Sequence, residues 1–158
     1  MMKVTRRTAH CALKGLLLAG ALMGGGGAAN AAASNTLAVS NCWVRALPGN
    51  LPSGGYFVAT NSGDQAVDLV AVSTPAFGMA MLHQSQTQGG TSRMTMVDKV
   101  TVPAHGKLAF TPGDYHLMLE QPTQPVQIGA KLPMTFMFSG GQKIAAVCEV
   151  KNAGATGP

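Results

Sequence analysis

The stretch Thr111-Pro112-Gly113-Asp114-Tyr115-His116-Leu117-Met118-Leu119 holds a turn and the start of a strand. Pro112 presets its own φ and Gly113 accepts a positive one, so Pro-Gly-Asp reads as a turn. In the segment that follows, side chains alternate between faces, so His116 and Met118 share one face while Leu117 takes the other. The same grammar recurs outward in both directions. Short apolar runs at Leu37–Ala46, Gly55–Asn61, Ala66–Ser73, Met79–Gln84, Arg93–Val100, Lys107–Phe110, Tyr115–Leu119, Leu132–Phe138 and Lys143–Val150 read as strands. Between them stand turn signals such as Leu47-Pro48-Gly49-Asn50, Asn61-Ser62-Gly63-Asp64, Gln88-Gly89-Gly90 and Ser139-Gly140-Gly141. No stretch sustains a 3.6-residue apolar period long enough for a substantial helix. The reading is all-β, a Greek-key sandwich or small barrel.

The first 33 residues are of another kind. Lys3, Arg6, Arg7 and Lys14 make a basic start without an acid, Gly15–Met23 is apolar, and a Gly- and Ala-rich stretch follows. This is the pattern of a secretory signal peptide, with cleavage after Ala31 or Ala33. The apolar run is shorter than the roughly 20 residues a membrane span needs, so no transmembrane segment is expected in the mature chain. Arg6-Arg7 leaves twin-arginine export open beside the general secretory route. Cys11 precedes the apolar run and is not placed as a lipid-acceptor cysteine.

Removing the leader changes the electrostatics. The whole chain of 158 residues carries a net charge of +5. Four of its eleven basic residues lie in the leader, which leaves seven against six acids, a net charge of +1. No basic run remains, so no nucleic-acid partner is expected. Two cysteines remain, Cys42 and Cys148. In an oxidising compartment such a pair is expected to bridge, the alternative being two separate buried thiols. The reading is thus a signal peptide over 1–33, one domain over 34–151 and a disordered tail over 152–158.

Nothing in the mature chain raises catalysis above background. It has no Gly-x-Ser-x-Gly elbow, no phosphate-cradling Gly-x-x-x-x-Gly-Lys loop and no His-Glu-x-x-His helix, and its six acids are scattered. Its distinctive polar chemistry is three histidines (His83, His105 and His116) and seven methionines. His116 and Met118 share a face, as do Met79, Met81 and His83, and Met94 and Met96. Thioether sulfur is a neutral soft ligand that selects Cu(I), and imidazole suits copper too. Against this stands the plainer possibility that the methionines fill a core.

The spacing bears on that choice. His83, Met94, His116 and Met118 form a His-x10-Met-x21-His-x-Met pattern. With Arg93 before Met94, Val102-Pro103-Ala104 followed by Gly106, the Gly113–Leu119 stretch, and Cys42-Trp43-Val44-Arg45-Ala46 followed by Gly55-Tyr56, it resembles the periplasmic copper chaperone family PCuAC from about Leu37 to Val150. The resemblance implies a cupredoxin-like Greek-key β-barrel. It also implies one Cu(I) per chain held by His83, Met94, His116 and Met118, with no catalytic role. It further implies periplasmic delivery to a copper-accepting domain, such as cytochrome c oxidase subunit II or its assembly factors. A monomer is expected. The tail lacks the His- and Met-rich extension of many relatives, so no second site is expected there. The Cys42 and Cys148 pair is no part of the family signature.

Rival readings stay open at this point. A copper-resistance or storage protein would use the same site. A β-sandwich interaction module would use no metal. A blue-copper carrier needs a thiolate with two histidines, and neither Cys42 nor Cys148 has the following residues for it. Met81 and Met96 are read as packing residues, with transient copper docking as the alternative, and His105 as a solvent-facing turn residue.

Overall fold

The computed structural model describes residues 36–49 and 51–158. The leader over 1–33 and both cleavage positions lie outside the described residues. Ten strands follow one another: β1 (Leu37–Arg45), β2 (Ser53–Asn61), β3 (Val67–Ser73), β4 (Phe77–Gln88), β5 (Thr91–Met96), β6 (Val100–Val102), β7 (Gly106–Phe110), β8 (Tyr115–Pro122), β9 (Lys131–Phe138) and β10 (Lys143–Lys151). One 3-10 turn, Ser139–Gly141, separates β9 from β10.

The strands form one sheet in the order β5-β4-β8-β2-β1-β10-β9-β3-β6, with β7 beside β2. Strand β2 is shared along one edge: Ser53–Gly55 pair with β8, and Phe57–Asn61 pair with β7. The pairing of β1 with β10 is parallel. The sheet folds over on itself. Phe57 of β2 and Phe136 of β9 stand three strand spacings apart in the order, yet their ring centres are 4.6 Å apart. In a flat sheet that separation would be about 14 Å. Phe110 stacks on the other side of Phe57 at 4.3 Å. Around these rings pack Leu69, Leu117, Leu119, Met134 and Val150, all buried. The all-β, cupredoxin-like expectation is met.

The core draws on every strand except β5, whose six residues are all exposed. Here the structure corrects the sequence reading, in which Arg93–Val100 was one strand. It is two. Strand β5 pairs with β4 at one end of the sheet, and β6 pairs with β3 at the other. At the break the Val97 amide donates to the Leu82 carbonyl at 2.9 Å, and Asp98 and Lys99 carry the chain across. Lys99 is then held by Asp68 of β3 at 2.7 Å. Met94, Met96 and Val100 share one parity and only Asp98 interrupts that row, so the sequence pattern alone joins the two pieces.

Cys42 and Cys148 are joined as a disulfide between β1 and β10, with Cα atoms 4.5 Å apart and a sequence separation of 106. The β1–β2 register shifts between Ser40 and Trp43, and Asn41 inside the shift has a φ of 52°. Asparagine tolerates this left-handed region better than most residues, and such a bulge re-aims the strand. After β10 the chain turns at Asn152, where the Ala155 amide donates to the Asn152 carbonyl at 3.1 Å.

Candidate metal centre

Directly opposed residues of antiparallel strands point to the same face, and so do residues two apart on one strand. Registers therefore sort the donors. His83 of β4 stands opposite His116 of β8 and, on its other side, opposite Met96 of β5. Met81 stands opposite Met118, which stands opposite Gly54 of β2, which stands opposite Arg45 of β1. Met94 stands opposite Ser85, two residues on from His83. His83, Met94, His116 and Met118 thus lie on one face of the sheet, together with Met81 and Met96. The opposite face of β8, with Leu117 and Leu119, is core.

A cavity of about 310 Å³ opens on this face. Met94, His116 and Met118 line it, with Arg45, Tyr56 and Ser85 among the other walls. His83 is not in the lining. It stands beside His116, the ring centres 5.8 Å apart and the planes nearly perpendicular at 86°. His116 is 7% exposed, whereas Met94 is 50% exposed. The site runs from a buried imidazole to an open thioether.

Two hydrogen-bonding facts orient the imidazoles. His116 Nδ1 lies 2.9 Å from the Asp114 carbonyl oxygen. A carbonyl only accepts, so Nδ1 carries the proton and Nε2 presents its lone pair. This arrangement fixes the tautomer of a metal-binding histidine. His83 Nδ1 is buried and has no hydrogen-bond partner. Unpaired buried nitrogen is costly, and a ligand atom or ion at that position would satisfy it. Burial holds the His83 pKa below the ordinary histidine value, and the neighbouring His116 adds to the effect, while Glu120 opposes it. Among the described residues no three of His, Cys, Asp and Glu gather into a metal-holding group. The donors that accompany the two imidazoles are thioethers.

The turn before β8 supports this geometry. Gly113 has a φ of 91°, and the Thr111 amide donates to the Tyr115 carbonyl at 2.8 Å. The same Asp114 carbonyl that accepts from His116 also accepts from the Ser85 amide at 3.2 Å, tying the turn to β4. On the far side, Arg45 donates through Nη2 to the Tyr56 hydroxyl, and its guanidinium carbon lies 5.1 Å from the Tyr56 ring centre. Gly54 is bare for a reason: a Cβ there would come within 2.5 Å of the Tyr56 hydroxyl oxygen.

Arg45 and Tyr56 were not singled out from the sequence as site residues, since neither is a soft donor. Met96, read there as a packing residue, is 61% exposed and packs in no core. Met81 is half-buried on the donor face and Met134 is buried in the core. His105 stands apart at a φ of 50°, exposed and 2.8 Å from Asp64.

Residues 37–150 match the family "LpqE-like", described as "Putative lipoprotein LpqE-like". The chain is 28% identical over 115 residues to "Putative lipoprotein Lxx21020" of Leifsonia xyli subsp. xyli, covering 72% of this chain and 69% of that one. It is 30% identical over 97 residues to "Uncharacterized protein RP573" of Rickettsia prowazekii, covering 60% of this chain but only 54% of that relative. Among solved structures, the copper-bound PCuAC domain from PmoF2 superposes with a TM-score of 0.62 at 20% identity, over 74% of this chain and 93% of that domain. The solution structure of CuI-DR1885 from Deinococcus radiodurans superposes with a TM-score of 0.61 at 30% identity, over 78% of this chain and 85% of that one. With the family matched across nearly all of the described strands, the chain belongs to the LpqE-like family and shares the fold of PCuAC domains.

Proposed function

We propose that this protein is an exported, periplasmic copper carrier that binds one Cu(I) through His83, Met94, His116 and Met118. In this reading it hands the ion to a copper-accepting domain such as cytochrome c oxidase subunit II or one of its assembly factors. The observation that carries the reading is the shared face: sheet registers bring two imidazoles and the thioethers of three strands beside one cavity. The likeness to CuI-DR1885 supports the choice of metal.

The residues suit a cargo rather than a resident catalyst. Imidazole and thioether are neutral, so the bound ion keeps its single positive charge and each ligand bond can be exchanged without moving a proton. His116, buried and held by the Asp114 carbonyl, is the ligand best placed to retain the ion. Met94, half exposed on the edge hairpin, is the one an incoming partner donor reaches first.

Titration of the mature protein with Cu(I) against a competing chelator tests the binding. His116→Ala combined with Met118→Ala is expected to lower affinity by at least about a hundredfold, two tenfold steps for two lost ligands. Wild-type affinity in that variant would sink the assignment. Delivery is tested separately by transfer from the loaded protein to the soluble domain of an oxidase subunit.

A further inference from the structure

We infer that Met96 is a further Cu(I) ligand, the thioether to which the ion moves when it leaves Met94 for a partner. The inference rests on the copper-site reading above and adds to it a residue outside the His-x10-Met-x21-His-x-Met set.

Three observations carry it. Met96 is directly opposite His83 in the β4–β5 pair, whereas Met94 is opposite Ser85 and only diagonal to His83. Opposed residues have Cβ atoms about 5 Å apart and diagonal ones about 7–8 Å, so Met96 is the nearer β5 methionine to that imidazole. Second, Met96 is no part of the core: it is 61% exposed on a strand that contributes no residue to it. An exposed methionine on an edge strand has no packing role to explain it, and Met-Thr-Met places both thioethers on one face. Third, the imidazole it faces has a buried Nδ1 without a hydrogen-bond partner. Met94 lines the cavity and Met96 does not, so the two thioethers serve different ends of one path: Met94 at the cavity, Met96 beside His83.

The exchange balances simply. One Cu–S bond to Met94 breaks as one Cu–S bond to Met96 forms. Copper stays Cu(I), both sulfurs stay neutral, and no proton or electron is transferred.

The test uses the mature protein with its methionine methyl groups labelled with 13C, titrated with Cu(I) under a competing chelator, alongside Met94→Leu, Met96→Leu and the double variant. Leucine conserves bulk at exposed positions, so all four proteins are expected to fold. The Met96 methyl signal of the wild type should shift within the first equivalent. Met96→Leu should release Cu(I) to the chelator about tenfold more slowly, and the double variant should bind about tenfold more weakly than Met94→Leu alone. Normal Cu(I) binding with a Met96 signal unmoved in both wild type and Met94→Leu overturns the role of Met96 and leaves the four-ligand site standing. Failure of the wild type to bind Cu(I) overturns the site reading, and this inference with it.

Discussion

His116 donates its Nδ1 proton to the main-chain carbonyl of Asp114, two residues earlier, at 2.9 Å. The ring is thereby oriented by the turn that starts its own strand, and the acceptor is backbone rather than the Asp114 carboxylate. Two substitutions separate these. Gly113 has a φ of 91° and open space where a Cβ would go, so Gly113→Ala acts through backbone conformation alone. It is expected to cost about 1–2 kcal/mol of stability. By displacing the Asp114 carbonyl it should also weaken Cu(I) binding several-fold. Asp114→Asn should leave binding within about twofold, since it preserves the carbonyl and 1.4 kcal/mol would already be a tenfold change. Chemical denaturation and chelator competition read both. A copper defect in Asp114→Asn with none in Gly113→Ala would contradict the assignment.

Copper should stabilise the fold by mass action. At free Cu(I) of about 100 times Kd the gain is about 2.7 kcal/mol, which raises the thermal midpoint of a domain this size by roughly 10 °C. A chelator should return the midpoint to its starting value. His116→Ala with Met118→Ala should show no such rise, and scanning calorimetry with and without Cu(I) decides.

The Cys42–Cys148 bond closes a long loop between the first and last strands. Cys42→Ala with Cys148→Ala is expected to cost on the order of 4–5 kcal/mol in the chain-entropy account. Neither cysteine lines the cavity. The folded variant should therefore keep wild-type Cu(I) affinity, so denaturation midpoint and copper titration should come apart. Equal losses in both would mean that the bond shapes the site.

Asp68 ties β3 to β6. It accepts from Lys99 Nζ at 2.7 Å and from Thr101 Oγ1 at 2.6 Å. The hydrogen bond from Lys99 above all, and then that from Thr101, holds its carboxyl below the usual aspartate value. A depressed folded-state pKa gives stability that is present above the unfolded-state value, about 4, and is lost as pH falls through the lower folded one. Asp68→Asn should therefore flatten the acid limb of the stability curve below about pH 4. The pair is exposed, so the difference at neutral pH should be small and should shrink further in high salt. Denaturation midpoints from pH 2 to 7 test it, and an unchanged acid limb would count against the bond.

How much of the site could be read in advance varies with the residue. His116 and Met118 are two apart in a segment bounded by a turn, so their shared face follows from chain geometry. Placing His83 beside His116 needs the β4–β8 register, which the two segments do not specify locally, being separated by β5, β6 and β7. Spacing suggested Met94, and the cavity includes it. Met96 reads as a packing residue because periodicity cannot distinguish an edge strand from a covered one. The break at Val97 was hidden for a similar reason. The amide that ends β5 bonds to Leu82, and the next strand is held by Asp68, both far away in sequence.

Local patterns alone show that this chain is all-β, that its soft donors recur at alternate positions on several strands, and that two cysteines remain once the proposed leader is set aside. These follow from local stereochemistry: a strand alternates its side chains whatever lies beside it, and Gly and Pro mark turns through their own φ. Which alternating rows meet is a matter of the folded sheet. It set Met96 rather than Met94 opposite His83, turned the Asp114 carbonyl toward His116, raised the Arg45–Tyr56 wall, and brought Cys42 within bonding distance of Cys148. Those pairings depend on register and on the folding of one sheet over the Phe57–Phe136 contact. Both are set by hydrogen bonds and burial between segments that no local pattern relates.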